Sequence, residues 1–139
     1  MYARMLGIAG LPNALQDFLA ANEFSFFWIM LILVVLMLFL GTILDTASII
    51  LIVVPLFLPL IEGMGLSLVW FGIVAVVAAE IGLLTPPLGL SCFVIKATLD
   101  DPSISLGDIF RGAAPFALIM LAVLALVLAF PVIATGLIP

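Results

Sequence analysis

The chain has no histidine, one cysteine and only three basic residues. Each shortage closes a class of function. Without histidine there is no imidazole base, and the zinc motifs built on it are excluded. The lone thiol, Cys92, excludes an internal disulfide and any cysteine-based metal site. Three Lys and Arg residues against eight acids leave a net charge of −5. That is too little positive charge for a nucleic-acid partner. It also argues against a peptide lying on a membrane surface, whose polar face is basic. Met1–Gly10 has one arginine but no long apolar core with a small-residue cleavage site, so it does not read as a signal peptide.

Charge is scarce because apolar residues fill the chain. They make up 68% of it, charged residues 8%, and the mean hydropathy is +1.60. Soluble domains run near half apolar and about a quarter charged. A soluble fold of 139 residues could not hide this much apolar surface. The sequence therefore predicts an all-α integral membrane protein.

Breaks in the apolar runs set the organisation. Residues 1–23 read as the end of a preceding helix and then an amphipathic arm helix from Pro12. Leu15, Phe18 and Leu19 lie on one side of that arm, and Asn13, Gln16, Asp17 and Asn22 elsewhere. Trp28 is an interface anchor near the start of the next apolar run. Taken as one helix, Phe24–Ile61 would be about 57 Å long against a hydrocarbon core of about 30 Å. It must fold back. Residues 24–62 are thus a helical hairpin, spanning or re-entrant, with its tip near 41–46 and Thr42, Asp45, Thr46 and Ser48 clustered there. Residues 66–99 form a discontinuous helix broken at 85–89, with Trp70 and Phe71 near its start. Residues 100–112 are a polar connector carrying a short surface helix, capped at Ser105, that ends at Phe110. Residues 113–139 are the last span, with Pro115 in its first turn and a kink at Pro131. Lys96 and Arg111 flank the connector, which places it in the cytoplasm and the C-terminus outside. Arg4 is left unplaced.

Two polar interruptions carry chemistry. The first is GTILDTAS, Gly41–Ser48. A carboxylate at membrane depth is costly, by about 3 kcal/mol on insertion scales. Either the turn emerges on the far surface and Asp45 merely caps the next helix, or the tip stays at midplane. In the second case Gly41 and Thr42 expose carbonyls, and Asp45 caps a half-helix or balances a cation. The second interruption is GLLTPPLG, Gly82–Gly89. Pro86 and Pro87 lack N–H donors, so the carbonyls those donors would have paired are left free, and helical geometry is disfavoured before each proline. Free carbonyls in hydrocarbon need protein, water or an ion. A proline kink covered by neighbouring helices is one solution; unwound backbone with the Thr85 hydroxyl, suited to a hard ion such as sodium, is the other. Glu80 is a further intramembrane acid, either functional or engaged in an inter-helix hydrogen bond in its protonated state. The Ala-rich stretch Ala75–Ala79 permits close helix packing. A hairpin tip facing a broken helix is the local pattern of a secondary transporter.

The segments FLGTILDTASIILIVVPLFLPLIEGMG, LVWFGIVAVVAAEIGLLTPPLGL and ISLGDIFRGAAPF, in this order, resemble the C-terminal part of the large membrane subunit of the tripartite ATP-independent periplasmic (TRAP) transporters. The resemblance implies the second repeat of an inverted-repeat, elevator-type transporter in a bacterial or archaeal inner membrane. It implies sodium-driven uptake of small carboxylates such as dicarboxylates, sialic acid or other organic acids, with no cofactor beyond the coupling ion. The implied partners are a periplasmic substrate-binding protein, a small membrane subunit and the N-terminal repeat of the large subunit. It assigns Gly41, Thr42, Gly82, Thr85, Pro86 and Pro87 to a sodium site, with Asp45, Thr46, Ser48, Glu80 and Gly89 as support for ion or substrate. The family's large subunit is roughly three times longer, so the chain reads as a fragment, not competent alone. Two other readings compete. An intramembrane aspartyl protease would need two facing carboxylates, and Asp45 and Glu80 are the only candidates. A complete small structural or regulatory membrane protein would lack transport activity.

Overall fold

In the computed structural model, residues 4–5, 8–23 and 25–136 are described. The expected start of the hairpin at Phe24, part of the helix end expected over 1–10, and the end of the last span at 137–139 lie outside them. Among the described residues from Leu11 on, seven helices follow one another: α1 Leu11–Ala21, α2 Phe26–Gly41, α3 Thr46–Gly63, α4 Leu68–Leu83, α5 Leu90–Thr98, α6 Leu106–Ala129 and the single turn α7 Val132–Thr135. No strand occurs among the described residues.

The apolar stretches become helices because only a helix satisfies its own backbone in an apolar surrounding. Their ends coincide with capping residues. Asp45 caps α3 and Ser67 caps α4. Ser105 and Asp108 form a reciprocal capping box at α6: the Ser105 hydroxyl accepts the Asp108 N–H, and the Asp108 carboxylate accepts the Ser105 N–H. α1 docks Leu19 against the end of α3, while Phe18 stays exposed.

α4 is the centre. It packs on α2, α3, α5, α6 and α7. Trp70, Phe71, Val74, Ala75, Ala78, Ala79, Ile81 and Gly82 are all buried, which covers more than one face of the helix. α2 lies parallel to α4. Their starts meet where Phe26 stacks on Trp70, with ring centroids 6.2 Å apart, and their ends meet at Gly41 and Gly82. α3 returns antiparallel, bringing Thr46 to Glu80. α6 also runs antiparallel to α4, since Trp70 at the start of α4 bonds Val127 near the end of α6.

The surface fits a bilayer better than water. Phe27, Phe39, Leu51, Phe116 and Leu118 are each at least 60% exposed. α3 and α6 are long and apolar enough to cross a membrane, yet only 28% and 17% of their most apolar windows are buried. The core helix of a soluble protein would be mostly buried.

Two expectations about the C-terminal third are corrected. The polar connector does not carry a separate surface helix ending at Phe110, nor does a span open at 113: α6 runs unbroken from Leu106, with Pro115 well inside it instead of in its first turn. Pro115 removes one bond, at the Arg111 carbonyl, and Arg111 is exposed, where an outside donor can replace it. At the other end α6 stops at Ala129, before Pro131, where a kink was expected.

Pro131 has a second effect. Its missing N–H would have paired with the carbonyl of Val127, four residues earlier. The Trp70 indole Nε1–H donates to that carbonyl instead, at 2.8 Å and fully buried. A tryptophan near a helix start thus serves as an internal strut, 1% exposed. Trp70→Phe should cost about 1–3 kcal/mol by stranding a buried acceptor. In a Pro131→Ala background, position 131 regains its own N–H and the same change should cost clearly less. Reversible unfolding of the four variants in detergent micelles measures the difference.

Candidate functional site

The site is built on two glycines. A Cβ on Gly41 would lie 2.7 Å from the Ala79 carbonyl oxygen and 2.8 Å from the Gly82 Cα; one on Gly82 would lie 2.6 Å from both the Gly41 Cα and the Leu38 carbonyl oxygen. Neither fits. The two backbones touch because neither residue has a side chain. Ala75, Ala78 and Ala79, all fully buried, extend the close approach along α4. The hairpin tip and the segment after α4 are therefore brought side by side.

Two parallel helices end at this contact. Each helix C-terminus carries a partial negative charge of about half a unit, and neither last turn holds a basic residue. Among the described residues, no hydrogen bond reaches the carbonyls of Gly41, Thr42, Leu83 or Thr85. The Gly82 carbonyl is closed by the Thr85 N–H at 3.0 Å. Of the two carbonyls that Pro86 and Pro87 deprive of a donor, only that of Leu83 thus remains open. The two threonine hydroxyls behave alike. Thr42 donates to the Phe39 carbonyl at 2.8 Å, and Thr85 to the Ile81 carbonyl at 2.6 Å. With the proton spent on its own helix, each hydroxyl oxygen keeps its lone pairs for another partner. Thr42 is buried and Thr85 half-buried, while Pro86 and Pro87 are exposed. The donor set is neutral oxygen throughout, which suits a hard, weakly held cation.

Asp45 lies at the hairpin tip but bonds within its own helix. It accepts the Ser48 N–H at 3.1 Å and the Ser48 hydroxyl at 2.6 Å. That is the capping role weighed from the sequence, and it occupies Ser48 as well. Glu80 accepts the Thr46 hydroxyl at 2.7 Å across two helices. The inter-helix hydrogen bond is there, with the Thr46 hydroxyl as donor. The two acids that a protease would need facing each other are each bonded to a hydroxyl instead.

Gly89 ends the break with φ +45°, and a Cβ there would strike the Phe110 ring at 2.6 Å. Phe110 was not singled out from the sequence. The signal available was a glycine flanking the prolines, a position against which a ring from another helix can rest. Lys96 donates to the carbonyls of Asp101 and Ile104 and folds the connector back on α5. In that connector the Ser103 N–H and hydroxyl hold the Asp101 carboxyl below the usual carboxylate range. An open groove of about 560 Å³ lies between the hairpin tip and α5, lined by Asp45, Thr46, Ala47, Leu83, Leu90, Ser91, Val94 and Ile95. Ser91 is a second residue that the sequence did not mark. It stands in the first turn of α5, whose N-terminus has no side-chain cap and no acid in its first turn.

Comparison with known proteins gives this geometry its family. Residues 1–133 match the model of the tripartite ATP-independent periplasmic transporter, DctM component. The chain belongs to this family. Among TRAP relatives, a C4-dicarboxylate transporter large permease protein from Pseudomonas aeruginosa is 31% identical over 137 residues, covering 99% of this chain and 31% of the relative. A sialic acid TRAP transporter large permease protein from Vibrio cholerae is 34% identical over 121 residues, 87% of this chain and 28% of the relative. A 2,3-diketo-L-gulonate TRAP transporter large permease protein from Escherichia coli is 28% identical over 129 residues, 93% and 30%. The chain thus spans about a third of the length of these TRAP permeases. No solved structure matches.

The glycine contact predicts a specific non-additivity. Gly41→Ala and Gly82→Ala should each destabilise by about 1–3 kcal/mol through overpacking. The double variant should cost less than the sum, because the first methyl already separates the backbones. Unfolding in micelles measures all three; simple additivity would mean that the two glycines do not share one contact.

Proposed function

We propose that residues 41–48 and 82–89 form one wall of a sodium site in a TRAP secondary transporter that imports small carboxylates. The observation that carries this reading is the Gly41–Gly82 contact, which brings together two helix C-termini that carry open carbonyls and two threonine hydroxyls whose protons are spent on their own helices. Gly41, Thr42 and Thr85 supply oxygens. Gly82, Pro86 and Pro87 act through shape, by close approach and by leaving the Leu83 carbonyl open. Asp45, Thr46, Ser48, Glu80 and Gly89 hold the frame.

Helix length supports a site within the membrane. α2 and α4, 16 residues each, rise about 24 Å, short of a hydrocarbon core of about 30 Å. The contact between their ends then falls inside the core. The groove beside it has the opposite polarity, since α3 and α5 both begin there. The N-terminus of α3 already carries Asp45, so the uncapped N-terminus of α5, with Ser91, is the place for a substrate carboxylate. Relatives named for dicarboxylate, sialic acid and diketogulonate share such an acid group.

In this reading the chain is the second repeat of a large subunit. It works with the first repeat, a small membrane subunit and a periplasmic binding protein, in an elevator movement across the inner membrane. The connector around 100–112 faces the cytoplasm and the C-terminus faces the periplasm. Its activity is transport, not catalysis.

The test is uptake in proteoliposomes by the chain joined to a first repeat and supplied with both partner proteins. Uptake should require sodium and not be supported by potassium. Thr85→Ala and Thr42→Ala should each raise the half-saturating sodium concentration about tenfold, the equivalent of one lost ion contact of roughly 1.4 kcal/mol. An unchanged sodium dependence in both variants would remove these residues from the site.

A further inference from the structure

The Thr46–Glu80 hydrogen bond is the one side chain–side chain bond that joins two separate helices among the described residues. Its place is telling. Thr46 is the first residue of α3, directly after the tip, and it lines the groove. Glu80 stands on α4 next to Ala79, whose carbonyl faces Gly41. Thr46 and Glu80 are both half-buried. Besides this bond, the first turn of α3 is held by its own cap on Ser48 and by the buried Ile49.

Glu80 would ordinarily be read as an ion ligand, being an acid at membrane depth. The geometry gives it another task. Its Oε1 is engaged as an acceptor at 2.7 Å. No cation pairs with it among the described residues, and Lys96 is turned to the connector carbonyls. No cluster of three or more His, Cys, Asp or Glu side chains that could hold a metal occurs among the described residues either. An acceptor needs an oxygen, not a charge.

We propose that Glu80 is a positioning residue. By accepting the Thr46 hydroxyl it pins the return arm of the hairpin to α4 and so holds the tip in register with the break. This rests on the sodium reading for its function, but the latch itself is a statement about α3 and α4 alone. It requires that the carboxyl be replaceable by any side chain with an oxygen at the same point.

The experiment uses the chain joined to a first repeat, in lipid nanodiscs, and the variants Glu80→Gln, Glu80→Leu, Thr46→Ser and Thr46→Val. One readout is amide exchange over the first turns of α3, measured without sodium. The other is the sodium concentration that gives half of the ion-induced rise in Tm. Glu80→Gln and Thr46→Ser keep an acceptor and a donor, and both readouts should stay within about twofold of the parent. Glu80→Leu and Thr46→Val should each speed exchange there and raise half-saturation about tenfold, the scale of one lost hydrogen bond. The Thr46→Val/Glu80→Leu double variant should be no worse than either single change. If Glu80→Gln fails as badly as Glu80→Leu, the charge matters and the proposal is overturned. Unchanged exchange in Glu80→Leu would overturn it equally. If the parent shows no response to sodium while the exchange pattern holds, the sodium reading falls and the latch stands.

Discussion

Everything in this fold is arranged around the place where the Gly41 and Gly82 backbones touch. Two parallel helices can end side by side only if no side chain keeps them apart, and a single methyl on either glycine would collide with backbone atoms at under 3 Å. The consequence is electrostatic as well as steric. The C-terminal ends of α2 and α4 add their partial negative charges at one point, and no lysine or arginine lies in either last turn to neutralise them. Across the groove, α3 and α5 begin, with the opposite polarity. Under the proposed reading, a cation and a carboxylate would find complementary helix ends within one small region, without any fixed charge being buried for the purpose.

The two proline-made defects show how the protein distinguishes a structural carbonyl from an available one. Pro131 strips the Val127 carbonyl of its donor, and the Trp70 indole closes the gap from inside the core. Pro87 strips the Leu83 carbonyl in the same way, and nothing among the described residues closes it. The chemistry of the two defects is identical and their surroundings are not. In the first, a large side chain has been placed to satisfy an acceptor. In the second, no side chain among the described residues donates to the open carbonyl.

The sequence made some of this legible because glycine and proline act locally. Helices end at Gly41 and at Leu83, before the Pro86–Pro87 pair, and these residues were visible as interruptions of the apolar runs. The use of Thr42 and Thr85 was half readable. Their presence beside free carbonyls was visible, but that both hydroxyls donate to their own helix is a matter of rotamer. The role of Trp70 was not readable, because its partner lies 57 residues away and the reason for the bond is a proline beyond that partner. Pro115 misled in the other direction. Pro115 is expected in the first turn of a span that opens at 113, whereas the Ser105–Asp108 capping box sets the start at Leu106, seven residues earlier, and the helix accommodates the proline at an exposed position. Gly89 pointed to a turn, and the turn is there, but the ring of Phe110 that rests on it comes from a different helix.

The disposition of the acids bears on how tightly such a site could hold an ion. Asp45 serves Ser48 and Glu80 serves Thr46, so neither carboxylate is committed to the carbonyl cluster. A site with two carboxylates would bind a cation strongly and release it slowly. Neutral carbonyls, hydroxyls and helix dipoles bind less tightly, and a transporter must let its coupling ion go on the far side as readily as it takes it up, the same balance that governs conduction in channels. In the proposed site, placing the acids one step back, as caps and struts of the hairpin, gives the tip a fixed shape and leaves the carbonyl cluster uncharged.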